Sequence, residues 1–220
     1  MANEIDFYQI YYREEQKEEL YDFATPYFNK TLTPYFENTV ISELVPNCKS
    51  DYVSVCSWRL KQKRSDFRVS LYGGGERGLS LEKLTGDYDI AILTPRGPTH
   101  KPLQAAAHWH GRAWVDALDQ LRTFIKIPNE LKYAIYENHF IARTDIYRDY
   151  VSNCLGPCMD FMEGRDVFFM DSGYRKRKNP EDVQLYNDVS GRHDWPIAPF
   201  ILERLFSIWI HDRGFKVVNI

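Results

Sequence analysis

At 220 residues, with 44% hydrophobic and 27% charged residues, the chain has the length and composition of one globular domain with a sizeable core. A net charge of −3 removes any bulk electrostatic case for nucleic acid, and no run of 18 apolar residues exists to span a bilayer. The opening Met1-Ala2-Asn3-Glu4-Ile5-Asp6 lacks the cationic start and apolar core of a secretion signal, so a cytoplasmic location is expected. Cys48, Cys56, Cys154 and Cys158 are then expected as reduced, buried thiols.

Ile5 to Tyr12 is an aromatic-rich apolar run and predicts a first strand. Arg13 to Tyr21 is charged and helix-favouring. Thr25-Pro26-Tyr27-Phe28 recurs as Thr33-Pro34-Tyr35-Phe36, and two Thr-Pro steps predict two helix starts, the second running to Leu44. Asp51 to Arg64 follows, apolar and β-branched in its first half and carrying Arg59, Lys61, Lys63 and Arg64 in its second. A hydrophobic strand that delivers cations at its carboxyl end is how an open α/β sheet meets an anionic ligand. The glycine-rich Gly73 to Gly78 lacks the Gly-Lys-Ser/Thr of a Walker loop and reads as a connection.

Leu79 to Leu84 predicts a short helix and Asp87 to Leu93 a second buried strand, ended by Thr94-Pro95. A long helix is expected from Pro102 to Phe124, with Trp114, Leu118, Leu121 and Ile125 on its core face. His108 and His110, two residues apart, point to different sides of it. Tyr133 to Ala142 predicts a third strand, and Thr144 can cap an amphipathic helix with Ile146, Tyr147, Tyr150, Val151, Cys154 and Leu155 inward. Ser172 to Asp194, with Arg175 to Lys178, reads as a polar loop. The last helix, Pro199 to His211, is apolar around most of its circumference; Glu203, Arg204 and Ser207 share one narrow stripe. An acid in such a place faces a cleft or pairs with a neighbouring cation. A strand from Phe215 to Ile220 closes the chain.

The order of these segments carries a resemblance. Trp58-Arg59-Leu60-Lys61 is followed by Asp87-Tyr88-Asp89-Ile90, then His108-Trp109-His110, then Asn138-His139-Phe140-Ile141, then Glu203-Arg204-Leu205. The series resembles a family of bacterial capsule and exopolysaccharide biosynthesis proteins of glycosyltransferase type. Its landmarks are a strand ending His-Tyr-Arg-Arg, then Tyr-Asp-Ile, Asn-x-Phe-Ile and Glu-Arg-Leu. The match spans about residues 30 to 220.

That resemblance implies a single-domain GT-A-like α/β fold, a mixed sheet flanked by helices. It implies transfer of a sugar from a nucleoside-diphosphate donor to a saccharide hydroxyl. In this reading Glu203 is the base or orients the acceptor, Arg59 stabilises the leaving diphosphate, and Asn138 bonds sugar hydroxyls. Trp58, Lys61, Arg64, His108, His110 and Arg204 would line the substrate. Where many GT-A enzymes end the central strand in Asp-x-Asp, this chain has Trp58-Arg59-Leu60-Lys61; its Asp-x-Asp, Asp87-Tyr88-Asp89, opens the next strand. Two accounts follow: Mg²⁺ or Mn²⁺ on Asp87 or Asp89, or metal-free neutralisation by Arg and Lys. A hydroxymethylated base in DNA is a rival acceptor, and a non-catalytic module binding a nucleotide sugar or glycan is the rival from another class.

Overall fold

The computed structural model describes residues 4–30, 33–62, 84, 86–94, 101–173, 183–184, 187 and 194–220. Lys63, Arg64, the glycine-rich loop at 73–78 and the basic run at 175–178 lie outside the described residues.

Six strands form one mixed sheet in the order β2-β1-β3-β5-β4-β6. They are β1 (Ile5–Tyr11), β2 (Thr25–Phe28), β3 (Tyr52–Ser57), β4 (Ile90–Ile92), β5 (Phe140–Arg143) and β6 (Val217–Asn219). β1 is parallel to β2 and β3, and β4 is parallel to β6; β5 runs antiparallel between β3 and β4. The expected α/β class, a mixed sheet with helices against it, is therefore the observed one.

The period-two pattern of the strands divides the core into two layers. Val53, Val55, Ile90, Ile92, Phe140 and Ala142 face a large cluster built with the helices. Tyr52, Cys56, Ala91, Leu93 and Ile141 face a smaller one that includes Phe7, Leu60, Leu84 and Tyr88. All of β3 is buried, as a central strand covered on both faces requires. The large layer holds α1 (Glu37–Leu44), α2 (Pro102–Arg122), α3 (Thr144–Tyr150) and α5 (Ala198–Trp209). α3 continues through a π-helical stretch, Val151–Leu155, into α4 (Gly156–Met162). No helix among the described residues is long and apolar enough to cross a membrane. All four cysteines are free and buried.

Four expectations need correction. The first Thr-Pro step does not start a helix: Thr25 and Pro26 lie in β2, an edge strand, where a residue without an N–H is tolerated. The second starts a turn, and α1 begins only at Glu37, after Phe36 takes φ 54 and ψ −130. The charged segment after β1 is a 3₁₀ helix, Glu14–Glu19, with Gln16 buried and its Oε1 accepting from the N–H groups of Tyr12 and Arg13. The strand expected over Tyr133 to Ala142 is cut to β5, because Glu137 and Asn138 take φ 52 and 54 and a ladder cannot pass through two left-handed residues.

α2 matches its expected span to within two residues, and Trp114, Leu118 and Leu121 are buried on it. It is kinked at Gly111, which has φ 63 and ψ −142, a conformation open essentially to glycine alone.

Candidate functional site

β1, β2, β3 and β4 all point the same way, so their carboxyl ends and the amino end of β5 share one edge of the sheet. β1 pairs with the strand that follows it on one side and with β3 on the other. The chain reverses its direction of winding there, and ligands of open α/β sheets bind in the crevice at such a point. The residues immediately beyond the strand ends are Tyr12 and Arg13 after β1, Asn29 after β2, and Trp58 and Arg59 after β3.

Trp58 is fixed by its backbone N–H donating to the carbonyl of Ile10 (2.9 Å), which continues the β1–β3 ladder by one residue. Arg59 lies over the Trp58 ring at 5.2 Å, a cation–π contact that orients the guanidinium. Its charge acts on the Tyr12 phenol. Lys61 is exposed on the short helical turn that follows.

The Tyr12 phenol is raised well above its ordinary pKa, first by burial and then by the charge of Glu37, with which it hydrogen-bonds; Asn29 and Arg59 oppose this. Glu37, the first residue of α1, is also shifted. Burial pushes its carboxyl up, the Tyr12 hydrogen bond and its own backbone N–H hold it down, and the charges of Glu137 and Glu203 push it up again. The charges of Glu137, in the loop before β5, and of Glu203, on α5, thus both act on Glu37 at the carboxyl edge.

The polar stripe of α5 accounts for this convergence. Glu203 Oε1 accepts from the backbone N–H of Glu137 (2.7 Å), and Ser207 Oγ accepts from that of Ile135 (3.0 Å). One turn further on, His211 Nδ1 accepts from that of Lys132 (3.1 Å). Side chains at i, i+4 and i+8 fall on one helix face, and here they satisfy an extended segment that would otherwise need a neighbouring strand. Stacking of Phe140 on Phe206, with ring centroids 3.9 Å apart, holds that face against β5.

Arg204 is buried, its side chain 7% exposed, and pairs through Nη1 with Glu203 Oε2 at 2.8 Å. Its guanidinium carbon lies 3.9 Å from the Tyr136 ring centroid. Its Nε has no hydrogen-bond partner among the described residues, and the Asn29 side chain is hydrogen-bonded to the Tyr12 phenol.

His139 is a residue that sequence reasoning passed over. It is 1% exposed, with Nε2 3.2 Å from Ser57 Oγ and 3.7 Å from Glu137 Oε2, and Nδ1 3.5 Å from Thr94 Oγ1. One imidazole thus ties the ends of β3 and β4 to the loop that carries Glu137. Asn138 is buried; its carbonyl accepts from Cys56 Sγ and from the N–H of Phe140 (2.9 Å). Glu37 and Tyr12 were also missed. Their sequence neighbours show only an acid at a helix start and a Tyr in an aromatic strand. Phe36, Glu137 and Asn138 are the positive-φ non-glycine residues among the described residues. All three flank this carboxylate cluster, and strained backbone of this kind concentrates at functional sites.

The histidines divide as their spacing required. His110 is buried on α2, its ring 4.3 Å from that of Phe200 and 6.0 Å from that of Trp114, a packing position. His108 is exposed on the same helix beside Trp109.

Asp87 and Asp89 lie apart from this edge. They precede the amino end of β4, at the opposite edge of the sheet from Arg59. With ~3.3 Å per strand residue, the length of β3 separates the two edges by roughly 15 Å. Asp87 pairs with Lys216 Nζ at 2.6 Å; Asp89 accepts from the Lys216 N–H at 2.8 Å and lies 3.6 Å from Arg143. These contacts fasten β6 to β4, and the two aspartates do not fit a cation on a diphosphate held by Arg59. No group of three or more His, Cys, Asp or Glu among the described residues is placed to hold a metal ion.

Fold and site together define an α/β protein whose carboxyl sheet edge sets a guanidinium opposite a cluster of partly buried carboxylates. No protein-family model, curated protein sequence or solved structure matches the chain.

Proposed function

We propose that this protein is a glycosyltransferase of GT-A-like type, moving a sugar from a nucleoside-diphosphate donor to a saccharide hydroxyl in polysaccharide biosynthesis. The observation that carries the reading is Arg59 at the carboxyl end of β3, its charge acting on the Tyr12 phenol that hydrogen-bonds Glu37, on which the charges of Glu137 and Glu203 also act. Sugar transfer needs positive charge for the departing diphosphate and a carboxylate for the acceptor proton. Both occur at one edge and at a topological switch point. The strand order also supports it: a single antiparallel strand, β5, lies between parallel strands and is entered through the loop that meets the Glu203 helix.

In the transfer, the bond between the anomeric carbon and the diphosphate oxygen breaks as the acceptor oxygen bonds to that carbon. Arg59, with Lys61 beside it, stabilises the charge that develops on the diphosphate. Trp58 offers a ring face beside that guanidinium, and the buried Asn138 stands at the entry to β5. Arg204 and Glu203, paired at 2.8 Å, would meet the acceptor. A divalent cation, if the reaction uses one, would not be held by Asp87 and Asp89, whose charges are committed to Lys216 and Arg143.

The test is a thermal-shift screen of nucleoside-diphosphate sugars, with arms containing Mn²⁺ or EDTA, followed by release of nucleoside diphosphate with saccharide acceptors. The expected result is stabilisation by one donor class, and turnover that Arg59→Ala suppresses by 10²-fold or so. Donor binding without turnover on any acceptor would mark a binding module instead. Release only with hydroxymethylated DNA would move the acceptor to nucleic acid. No stabilisation by any donor would overturn the proposal.

A further inference from the structure

We infer that Glu137, its carboxylate held by His139 and its backbone by Glu203, is the group that meets the acceptor hydroxyl and takes its proton; this rests on the transferase reading above.

Glu137 and Asn138 are the central residues of a tight turn, closed by the His139 N–H donating to the Tyr136 carbonyl at 2.9 Å. Both have positive φ, 52 and 54, a turn geometry that Gly, Asn and Asp dominate. Asn138 suits it. Glu137 does not, because its longer side chain lacks the local hydrogen bonding by which Asn and Asp tolerate a left-handed backbone. A strained position kept for a glutamate points to a use for that side chain.

The turn is gripped from three sides. The Glu137 N–H donates to Glu203 Oε1 at 2.7 Å. The Leu93 N–H donates to the His139 carbonyl at 2.9 Å, which carries the β4–β5 ladder up to the turn. The buried His139 ring then spans the two strand ends that flank β5. Its Nε2 is 3.2 Å from Ser57 Oγ, the last residue of β3, and its Nδ1 is 3.5 Å from Thr94 Oγ1, just beyond β4. Anchored at both nitrogens, the ring presents Nε2 to Glu137 Oε2 at 3.7 Å. That oxygen is buried, yet 29% of the Glu137 side chain is exposed at the carboxyl edge. The carboxylate is thus held from within and open from without.

Glu203 is placed otherwise. Its Oε1 serves the Glu137 N–H, its Oε2 pairs with Arg204 Nη1 at 2.8 Å, and its side chain is 15% exposed. Both its oxygens hold protein groups, so Glu203 and His139 are positioning residues and Glu137 is the catalytic one.

The step balances as follows. The hydroxyl proton passes to the Glu137 carboxylate while the hydroxyl oxygen attacks the anomeric carbon of the donor. The bond from that carbon to the diphosphate breaks, its electron pair leaves with the nucleoside diphosphate, and Arg59 neutralises the charge. Direct attack assisted by a base inverts the anomeric configuration.

The experiment compares wild type, Glu137→Gln, His139→Ala, His139→Gln and His139→Asn on the donor found by the screen. Each is assayed with an alcohol acceptor and with a nitrophenol acceptor already ionised at the assay pH. Glu137→Gln is expected to bind donor as wild type does, to lose about 10²-fold in kcat with the alcohol, and to regain most of it with the nitrophenolate, which has no proton to lose. His139→Ala should lower kcat with the alcohol and leave KM for the donor unchanged. Glutamine puts its amide where Nε2 faces Ser57 and Glu137, asparagine where Nδ1 faces Thr94. His139→Gln should therefore recover more activity than His139→Asn, an order that a merely space-filling ring would not produce. The product should carry the inverted anomer. Undiminished turnover in folded Glu137→Gln, a loss the nitrophenolate does not restore, or a retained anomer overturns the assignment of Glu137. Recovery by His139→Asn equal to or above that by His139→Gln overturns the role of His139. Glu137 is part exposed, so its variant tests the proposal even where a His139 variant fails to fold. Absence of donor binding and turnover in wild type overturns the transferase reading and this inference with it.

Discussion

Glu203 accepts a 2.7 Å hydrogen bond from the backbone N–H of Glu137, a residue held at φ 52 and 66 positions away in the chain. The bond is the first rung of a series in which Glu203, Ser207 and His211 satisfy the N–H groups of residues 137, 135 and 132. A helix face thereby takes the role of a sheet neighbour. The loop before β5 is held open toward the carboxyl edge rather than zipped into the sheet.

Glu203→Ala removes the acceptor for that rung and the counter-charge of Arg204, whose side chain is 7% exposed. Leaving a buried cation unpaired costs about 3–5 kcal/mol, so a large fall in urea-unfolding stability is expected. Glu203→Gln, which keeps an oxygen for the Glu137 N–H, should lose less. Equal losses in the two variants would show that the ion pair, rather than the rung, carries the effect.

Gly111→Ala tests the kink in α2. A Cβ there meets nothing within 4 Å, yet the residue sits at φ 63 and ψ −142. The penalty is therefore conformational, about 1–3 kcal/mol, and chemical denaturation should show it. A neutral substitution would mean that the helix straightens through this point without disturbing the packing of His110 and Trp114.

Stability against pH should bear the mark of Glu37. Its folded carboxyl sits above the ordinary value of 4.5, because of burial and then its charged neighbours. The folded state therefore holds the proton more tightly than the unfolded chain. The stability it contributes is fully present below pH 4.5 and is lost as pH rises through the folded pKa. Relative to wild type, Glu37→Gln should gain stability between pH 4 and neutrality, measured by urea unfolding at several pH values. A difference that stays constant with pH would contradict the shift.

The thiols should be inert in the native protein. Burial, reinforced by Asp6, pushes Cys48 up to about 11, and burial pushes Cys56 to about 12. Cys154 is raised further by its hydrogen bond to Cys158 and by burial. At pH 8 about a thousandth or less of each of the first two would be thiolate. Labelling by a thiol reagent should be slow in buffer and complete in denaturant. Rapid native labelling of Cys48 would show that its surroundings open readily.

Much of this architecture was legible before any coordinates. The apolar runs at 5–11, 52–57 and 90–92 had to be strands, because their alternating side chains feed two core layers. The stripe of Glu203, Arg204 and Ser207 followed from helical spacing alone. The cations after β3 were visible as well, and so was the splitting of His108 from His110 to exposed and buried positions.

What only the tertiary structure decided is which of those groups meet. Spacing within a segment reports which face a residue lies on, not what another segment tens of residues away brings to that face. Asp87 and Asp89 have the look of a metal pair in the chain, but strand direction places them at the amino edge, against Lys216 and Arg143. Tyr133 to Ala142 has the composition of one strand, but two left-handed residues and the acceptors of α5 cut it short. Glu37 and Tyr12 carry no local signal at all. They become a hydrogen-bonded pair with shifted protonation because parallel strands and a helix start deliver them, with Glu137 and Glu203, to the same edge of the sheet.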